Sequence, residues 1–344
     1  MKAHQLIILL GFALVAAKPG VAAQTNVMKP LPYTGVNLAG GEFYDPVKTP
    51  EPMYGRNFSY PTRAEYEYFA GKGMNVFRVQ FLWETLQAKA KEPFRQAELD
   101  RLKSTVKLAT ARGLTVILDP HNYARYYGKV VGSNEVPYDA FADFWGRLAN
   151  EFRGDTNVWF GLVNEPHDMP TEQWLQAANE AIAAVRKTGA ENLILVPGNG
   201  YSSAHGWVKG KWYGTSNGSV MQKIHDPNSN YVFEVHQYLD KDSSGTHREV
   251  VRPTIGSERL KEFVEWCRQN KQRAFLGEFA VAEGETGRLA IEDMLQAMER
   301  DRDVWLGFTW WAAGSRWGNY MFSLEPKDGK DRPQMEYLRG HLQK

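Results

Sequence analysis

"VWFGLVNEP", residues 158–166, decides how the fold is read. Val158 to Val163 run without a polar break and stop on Asn164 and Glu165. A strand with one wet face alternates apolar and polar residues. An unbroken apolar run fits a strand covered on both faces, as in parallel sheets. Seven more runs of this kind follow the chain: Thr34–Leu38, Asn75–Phe81, Leu114–Asp119, Leu193–Pro197, Tyr231–His236, Arg273–Gly277 and Val304–Trp311. Amphipathic helical patterns separate most of them, over 61–72, 96–113, 137–153, 171–189, 257–270, 286–300 and 333–343. Thr62 followed by Glu65 is a capping-box pattern at the first of these. Residues 198–230, rich in Gly, Ser, Asn and Trp, read as a long loop with a short helix. Eight strand–helix units and no Pro- or Ser-rich linker predict one α/β domain over 24–344, a (β/α)8 TIM barrel. A doubly wound open sheet is the alternative, but no glycine-rich phosphate fingerprint follows an early strand.

The first 23 residues stand apart. Lys2 precedes an apolar stretch, Leu6 to Ala17, and small residues Val21-Ala22-Ala23 follow. This is the layout of a secretory signal peptide cleaved near Ala23, so the mature protein is expected to be secreted, to the periplasm or the medium. Residues 24–32 read as a leader to the domain. Of 41 basic residues the signal holds Lys2 and Lys18, leaving 39 against 40 acidic, a net charge near −1. That balance gives no reason to expect nucleic acid or an anionic membrane as partner. The one cysteine, Cys267, cannot close an intramolecular disulfide, so the core must carry stability. Eleven Trp and sixteen Tyr tilt the composition toward sugar binding, because the apolar face of a pyranose packs on a flat ring.

Six of the eight runs end in titratable or aromatic groups. Arg78 sits in "VFRVQF", His121 and Asn122 close "LDPHNY", and Asn164 and Glu165 close "VNEP". His236 and Tyr238 follow in "EVHQY", Glu278 in "LGEF", and Trp310 and Trp311 in "FTWWAAG". Each has a plain structural reading on its own: a buried ion pair, a hydrogen-bonded core histidine, a strand end before proline. Their shared position does not. In a barrel these ends meet at the face where such folds do chemistry, and buried charges cost several kcal/mol unless paired. Carboxylates on the fourth and seventh strands stand across the mouth from each other. With aromatic residues around them they point to glycoside hydrolysis, one as proton donor and one as nucleophile. A carboxyl that is partly desolvated and close to a second one keeps its proton more readily, as a donor near neutral pH must.

The ordered set "FRVQF", "PHNY", "NEP", "VHQYLD", "GEF" and "WWAAG" resembles glycoside hydrolase family 5, the cellulase-type retaining barrel glycosidases. The resemblance spans about residues 31–341. The stretches "HQYLDKDSSGTH" and "SLEP" are most similar to the endo-β-1,4-glucanases. It implies that Glu165 is the acid/base and Glu278 the nucleophile. It further implies that Asn164 holds the sugar 2-hydroxyl, that Arg78 and Tyr238 contact Glu278, and that Arg78 keeps it ionised. His121 and His236 would orient groups around the central sugar, Trp311 would be its stacking platform, and the Trp311–Ala312 peptide would be cis. Trp207, Trp212, Trp317 and Tyr320 are candidates to stack further glucose units, with ordinary loop packing as the alternative. Related chains often carry a second aromatic where Arg316 stands here, which bears on the platform beyond Trp311.

The expectation is a secreted, monomeric, retaining endo-β-1,4-glucanase acting on a β-glucan polysaccharide such as cellulose, with no cofactor and no metal. The same chemistry on mannan, xyloglucan or mixed-linkage glucan is one rival. A metallohydrolase using His121, His236 and the glutamates is another, though no His-x-His follows the first strand. A non-catalytic sugar-binding barrel is the third, and the presence of both glutamates argues against it.

Overall fold

The computed structural model describes residues 29–344. The expected signal peptide, residues 1–23, lies outside them. Eight parallel strands close into a barrel in sequential order. They are β1 (Tyr33–Gly41), β2 (Val76–Phe81), β3 (Thr115–Pro120), β4 (Val158–Gly161), β5 (Ile194–Pro197), β6 (Tyr231–His236), β7 (Ala274–Glu278) and β8 (Trp305–Ala313). A helix follows each: α1 (Arg63–Gly71), α2 (Gln96–Thr110), α3 (Tyr138–Phe152), α4 (Thr171–Lys187), α5 (Asn217–Val220), α6 (Ile255–Gln269), α7 (Glu285–Arg300) and α8 (Gln334–Leu338). This is the (β/α)8 TIM barrel the periodicity predicts. None of the described helices is long and apolar enough to cross a membrane.

Two elements have no clear signal in the sequence, a helical turn at Trp83–Leu86 and a hairpin pairing Arg125–Tyr126 with Lys129–Val130. The leader reading fails for its described part. Leu31 is buried, and Arg302 donates to the carbonyls of Lys29 and Pro30 at 3.1 and 2.9 Å. A basic side chain and the core thus hold this segment against the barrel.

The barrel interior is layered, because alternate residues of a strand face the same side. At the bottom, Val76, Ile117, Trp159, Leu195, Val232, Phe275 and Leu306, one from each of β2 to β8, form an apolar floor with Tyr33 of β1 against it. Two residues further along, the same columns carry Arg78, Asp119 and Glu234, all fully buried. Two residues beyond those lie Gln80, His121 and His236. Glycine leaves room for the charged layer at Gly277, where a Cβ would lie 2.2 Å from Glu234 Oε1.

Tryptophans on the outer helices fix strand ends. Trp145 of α3 donates Nε1–H to the Leu162 carbonyl at 3.0 Å, and Trp174 of α4 to Pro197 at 2.7 Å. The expected capping box is present at α1: the Thr62 amide donates to Glu65 Oε2 at 2.7 Å, and Thr62 Oγ1 accepts from the Glu65 amide at 3.4 Å. Thr62→Ala removes one half of it at an exposed helix start. We expect about 1 kcal/mol of lost stability, read as a lower urea midpoint, with kcat/KM unchanged.

Candidate active site

The polar layer is organised by one guanidinium. Arg78 lies 2.9 Å from Glu278 Oε1, 3.0 Å from Asp119 Oδ2 and 2.8 Å from Glu234 Oε1. It also donates to Asn37 Oδ1 at 3.0 Å and Asn164 Oδ1 at 2.9 Å. A guanidinium has donors only, so the Asn164 atom facing it must be the oxygen. The Asn164 amide nitrogen then points at His121 Nε2, 3.2 Å away, while His121 Nδ1 donates to Asp119 Oδ2 at 2.8 Å. One cation thereby sets an amide orientation and, through it, a histidine tautomer. Burial pulls the His121 pKa down, and Asp119 outweighs it, leaving the ring more basic than usual. The Asn164 amide, a donor, opposes protonation at Nε2.

Glu278 ends β7. Tyr238 donates its hydroxyl to Glu278 Oε2 at 2.8 Å. Both contacts that the resemblance implies for Glu278 are therefore present. Burial raises the carboxyl above its ordinary 4.5, and Glu165 adds to the rise. The nearby cations His236 and Arg78 only counter part of it. Arg78 favours the ionised form of Glu278, against the loss of hydration that burial imposes.

Glu165 lies just past β4, where the backbone turns. Its φ is +40°, in the left-handed region, instead of the extended geometry expected before proline. Such a residue costs of order 1–3 kcal/mol and is held by its surroundings. Glu165 Oε1 is 2.7 Å from His236 Nδ1, and His236 Nε2 is 3.3 Å from Glu234 Oε1. Carboxylate oxygens accept only, so a doubly protonated imidazole satisfies both ends. Burial alone would lower the His236 pKa, but Glu278, Glu165 and Glu234 together push it up to about 10. His236 Nδ1 also lies 3.6 Å from Glu278 Oε2, and an oxygen of Glu165, one of Glu278 and His236 Nδ1 or Nε2 lie within 4.8 Å of one another.

Two cavities open at this mouth and share Tyr123 as a wall. One, of about 440 Å³, is lined by Glu42, His121, Trp311 and Trp317. The other, of about 710 Å³, contains Glu165, His236, Tyr238, Tyr201 and Trp212. Trp311 stacks on His121 at 5.4 Å and 16°, and the Trp311–Ala312 peptide is cis.

Residues 33–314 match the family model for cellulase, glycosyl hydrolase family 5. The chain belongs to glycosyl hydrolase family 5. It is accordingly a glycoside hydrolase of the cellulase type. It is 38% identical over 320 residues to the probable endo-beta-1,4-glucanase B of Neosartorya fischeri, covering 92% of this chain and 93% of that one. It is similar to the structure of XacCel5A in complex with cellopentaose, with a TM-score of 0.88 and 48% identity over 90% of this chain and 99% of that one. The Pseudomonas stutzeri endoglucanase Cel5A in complex with cellobiose follows with a TM-score of 0.82 and 33% identity, covering 91% and 93%.

Within this family-5 barrel, Arg78, His121, Asn164, Glu165, His236, Tyr238, Glu278 and Trp311 come together at one mouth. Trp207 does not. It is fully buried, packed against Phe233, Phe263 and Trp266, and cannot stack on a sugar. The gap between β6 and α6 needs a large apolar filler, and α5 is too short to supply one. Trp317 lines the smaller cavity, but Tyr320 covers one face at 4.2 Å and 19°, so it is a wall behind Trp311 more than an open platform. Asp119, Glu234 and Asn37 were not singled out from the sequence as site residues. Asp119 and Glu234 sit two residues before His121 and His236 on the same inward strand faces.

Two outcomes are expected. Trp207→Ala should lower stability by about 3–5 kcal/mol in thermal or urea unfolding while the folded protein keeps its KM. A lost sugar platform would do the reverse. His236 contributes stability that is fully present below about pH 6.5 and lost as pH rises through about 10, because its folded pKa lies above the ordinary value. His236→Gln should flatten the fall in unfolding free energy across that window.

Proposed function

We propose that this protein is a retaining endo-β-1,4-glucanase that works by double displacement, with Glu278 as nucleophile and Glu165 as acid/base. The observation that carries this reading is the closeness of the two carboxylates, with an oxygen of each within 4.8 Å. Retaining glycosidases hold the pair at about 5–5.5 Å, whereas inverting ones leave about 6.5–9.5 Å for a water. In the first step Glu278 attacks the anomeric carbon and Glu165 gives its proton to the departing glycosidic oxygen. Glycosylation then removes the charge of Glu278. Glu165, left ionised, takes the proton of the incoming water in the second step.

The remaining groups act by position. Arg78 and Tyr238 hold the two Glu278 oxygens, so attack needs no reorientation. Asn164, with its oxygen tied to Arg78, presents its amide beside His121 where the 2-hydroxyl of the reacting sugar would lie. Trp311, in the smaller cavity, supplies the stacking face under that sugar. Two cavities that meet at Tyr123, one lined by Trp311 and one by Glu165, fit an internal bond of a glucan chain, and the endoglucanase relatives and the cellopentaose complex of XacCel5A favour β-1,4-linked glucose. We further propose that the mature chain acts outside the cytoplasm as a monomer.

Reducing-sugar release from carboxymethylcellulose, barley β-glucan and a mannan tests the reading. We expect release from the first two, about 10²–10⁴-fold slower for Glu165→Gln and at background for Glu278→Gln. Proton NMR of the nascent ends should show the β-anomer first. Substantial activity in either variant would remove the assignment, an α-anomer the retaining mechanism, and release from mannan alone the substrate.

A further inference from the structure

Glu234 is buried in β6, two residues before His236, and its position is fixed from two sides. Its carboxylate fills the space that Gly277 leaves on β7, where an added Cβ would lie 2.2 Å from Oε1. Ser202 clamps its backbone together with that of His236. The Ser202 hydroxyl donates to the Glu234 carbonyl at 2.5 Å, and the Ser202 carbonyl accepts from the His236 amide at 2.9 Å. Charge balance with Arg78 does not by itself explain the residue, since Asp119 and Glu278 already lie 3.0 and 2.9 Å from the same guanidinium. What Glu234 adds is a partner for the far side of a ring. Its Oε1 stands 3.3 Å from His236 Nε2, and His236 Nδ1 stands 2.7 Å from Glu165 Oε1.

An imidazole with one proton can serve only one of these carboxylates. With that proton on Nδ1, buried Glu234 faces a lone pair. With it on Nε2, the bare Nδ1 accepts from Glu165 and draws the proton of Glu165 to Oε1, toward the histidine. Only an imidazolium donates at both ends. Oε1 is then always an acceptor, and a proton on Glu165 must sit on Oε2. Arg78 of β2 shares Glu234 Oε1 with the ring, and Glu165, Glu278 of β7 and Asp119 of β3 face the ring as well. Burial works against the charged ring, and Glu278, Glu165 and Glu234 together outweigh it.

We infer that Glu234 is a positioning residue for proton transfer: it keeps His236 doubly protonated, so that Glu165 holds its transferable proton on Oε2, the oxygen the histidine does not engage. This rests on Glu165 being the proton donor. In the first step the O–H bond at Oε2 breaks and its proton passes to the glycosidic oxygen. That oxygen's bond to the anomeric carbon breaks as the bond from Glu278 forms. His236 keeps both of its protons throughout.

The test compares kcat/KM for cellopentaose with that for 2,4-dinitrophenyl β-cellobioside, whose phenolate departs without a proton. Glu165→Gln checks the underlying reading, and should lose about 10²–10⁴-fold on cellopentaose and little on the aryl glycoside. Glu234→Gln should lose part of the same acid assistance, about ten- to a hundredfold on cellopentaose and less than about threefold on the aryl glycoside. Equal losses on both substrates would overturn the inference, since Glu234 would then act through Arg78 on Glu278. Unchanged rates on both would overturn it too. Nitrogen-15 NMR of the histidine-labelled, unaltered protein gives a second readout that does not depend on Glu234→Gln folding. At about pH 7 both ring nitrogens of His236 should carry protons, and a bare ring nitrogen there would overturn the inference. If Glu165→Gln loses equally on both substrates, the reading of Glu165 falls, and this inference with it.

Discussion

Arg78 is the constraint on which the mouth of this barrel depends. It is a full charge buried inside a closed sheet, tolerable only because three carboxylates surround it. The dependence runs both ways. Among the described residues, no other cation comes as close to Asp119, Glu234 and Glu278 except His236, whose charge is itself maintained by the carboxylates around it. Breaking such a set leaves an uncompensated buried charge, so its members are held together more firmly than surface ion pairs are. The geometric consequences spread outward from the guanidinium. Its donors orient Asn164, Asn164 orients His121, and Asp119 grips the other ring nitrogen. Gly277 belongs to the same constraint, because the carboxylate paired with Arg78 occupies the space its side chain would need.

Two glutamates of identical chemistry acquire different characters from this setting. Glu278 sits on a regular strand, buried, with partners on both oxygens. Glu165 sits on a turned backbone, more open to solvent, with His236 as its one charged contact at hydrogen-bonding distance. A nucleophile profits from being fixed. A group that must give a proton and later take one from water profits from access.

Much of this was legible in the sequence, for a physical reason. Strands of a parallel barrel are covered on both faces and so read as continuous apolar runs, and the polar residues that end them mark the mouth. What was not legible needed neighbours. Asp119 and Glu234 lie within strands, and their role emerges only once β2, β3 and β6 are in register with Arg78 between them. Trp207 and Trp212 are five residues apart in one loop of uniform composition, yet one fills the space under α6 and the other stands open on glycines. That difference is set by long-range packing.

Register and site specify each other. The column Val76, Arg78, Gln80 faces inward, while Phe77, Val79 and Phe81 pack outward among the helices. A slip of β2 by one residue would exchange the two sets. It would turn the guanidinium out into the apolar layer under α1 and α2 and leave three carboxylates facing one another without it. The charged layer therefore acts as a check on strand alignment that an all-apolar interior could not supply. The apolar floor one step below works in the same sense. It fixes how high the polar layer stands, so that Glu165 and Glu278 reach the mouth and the cation that organises them stays out of the water.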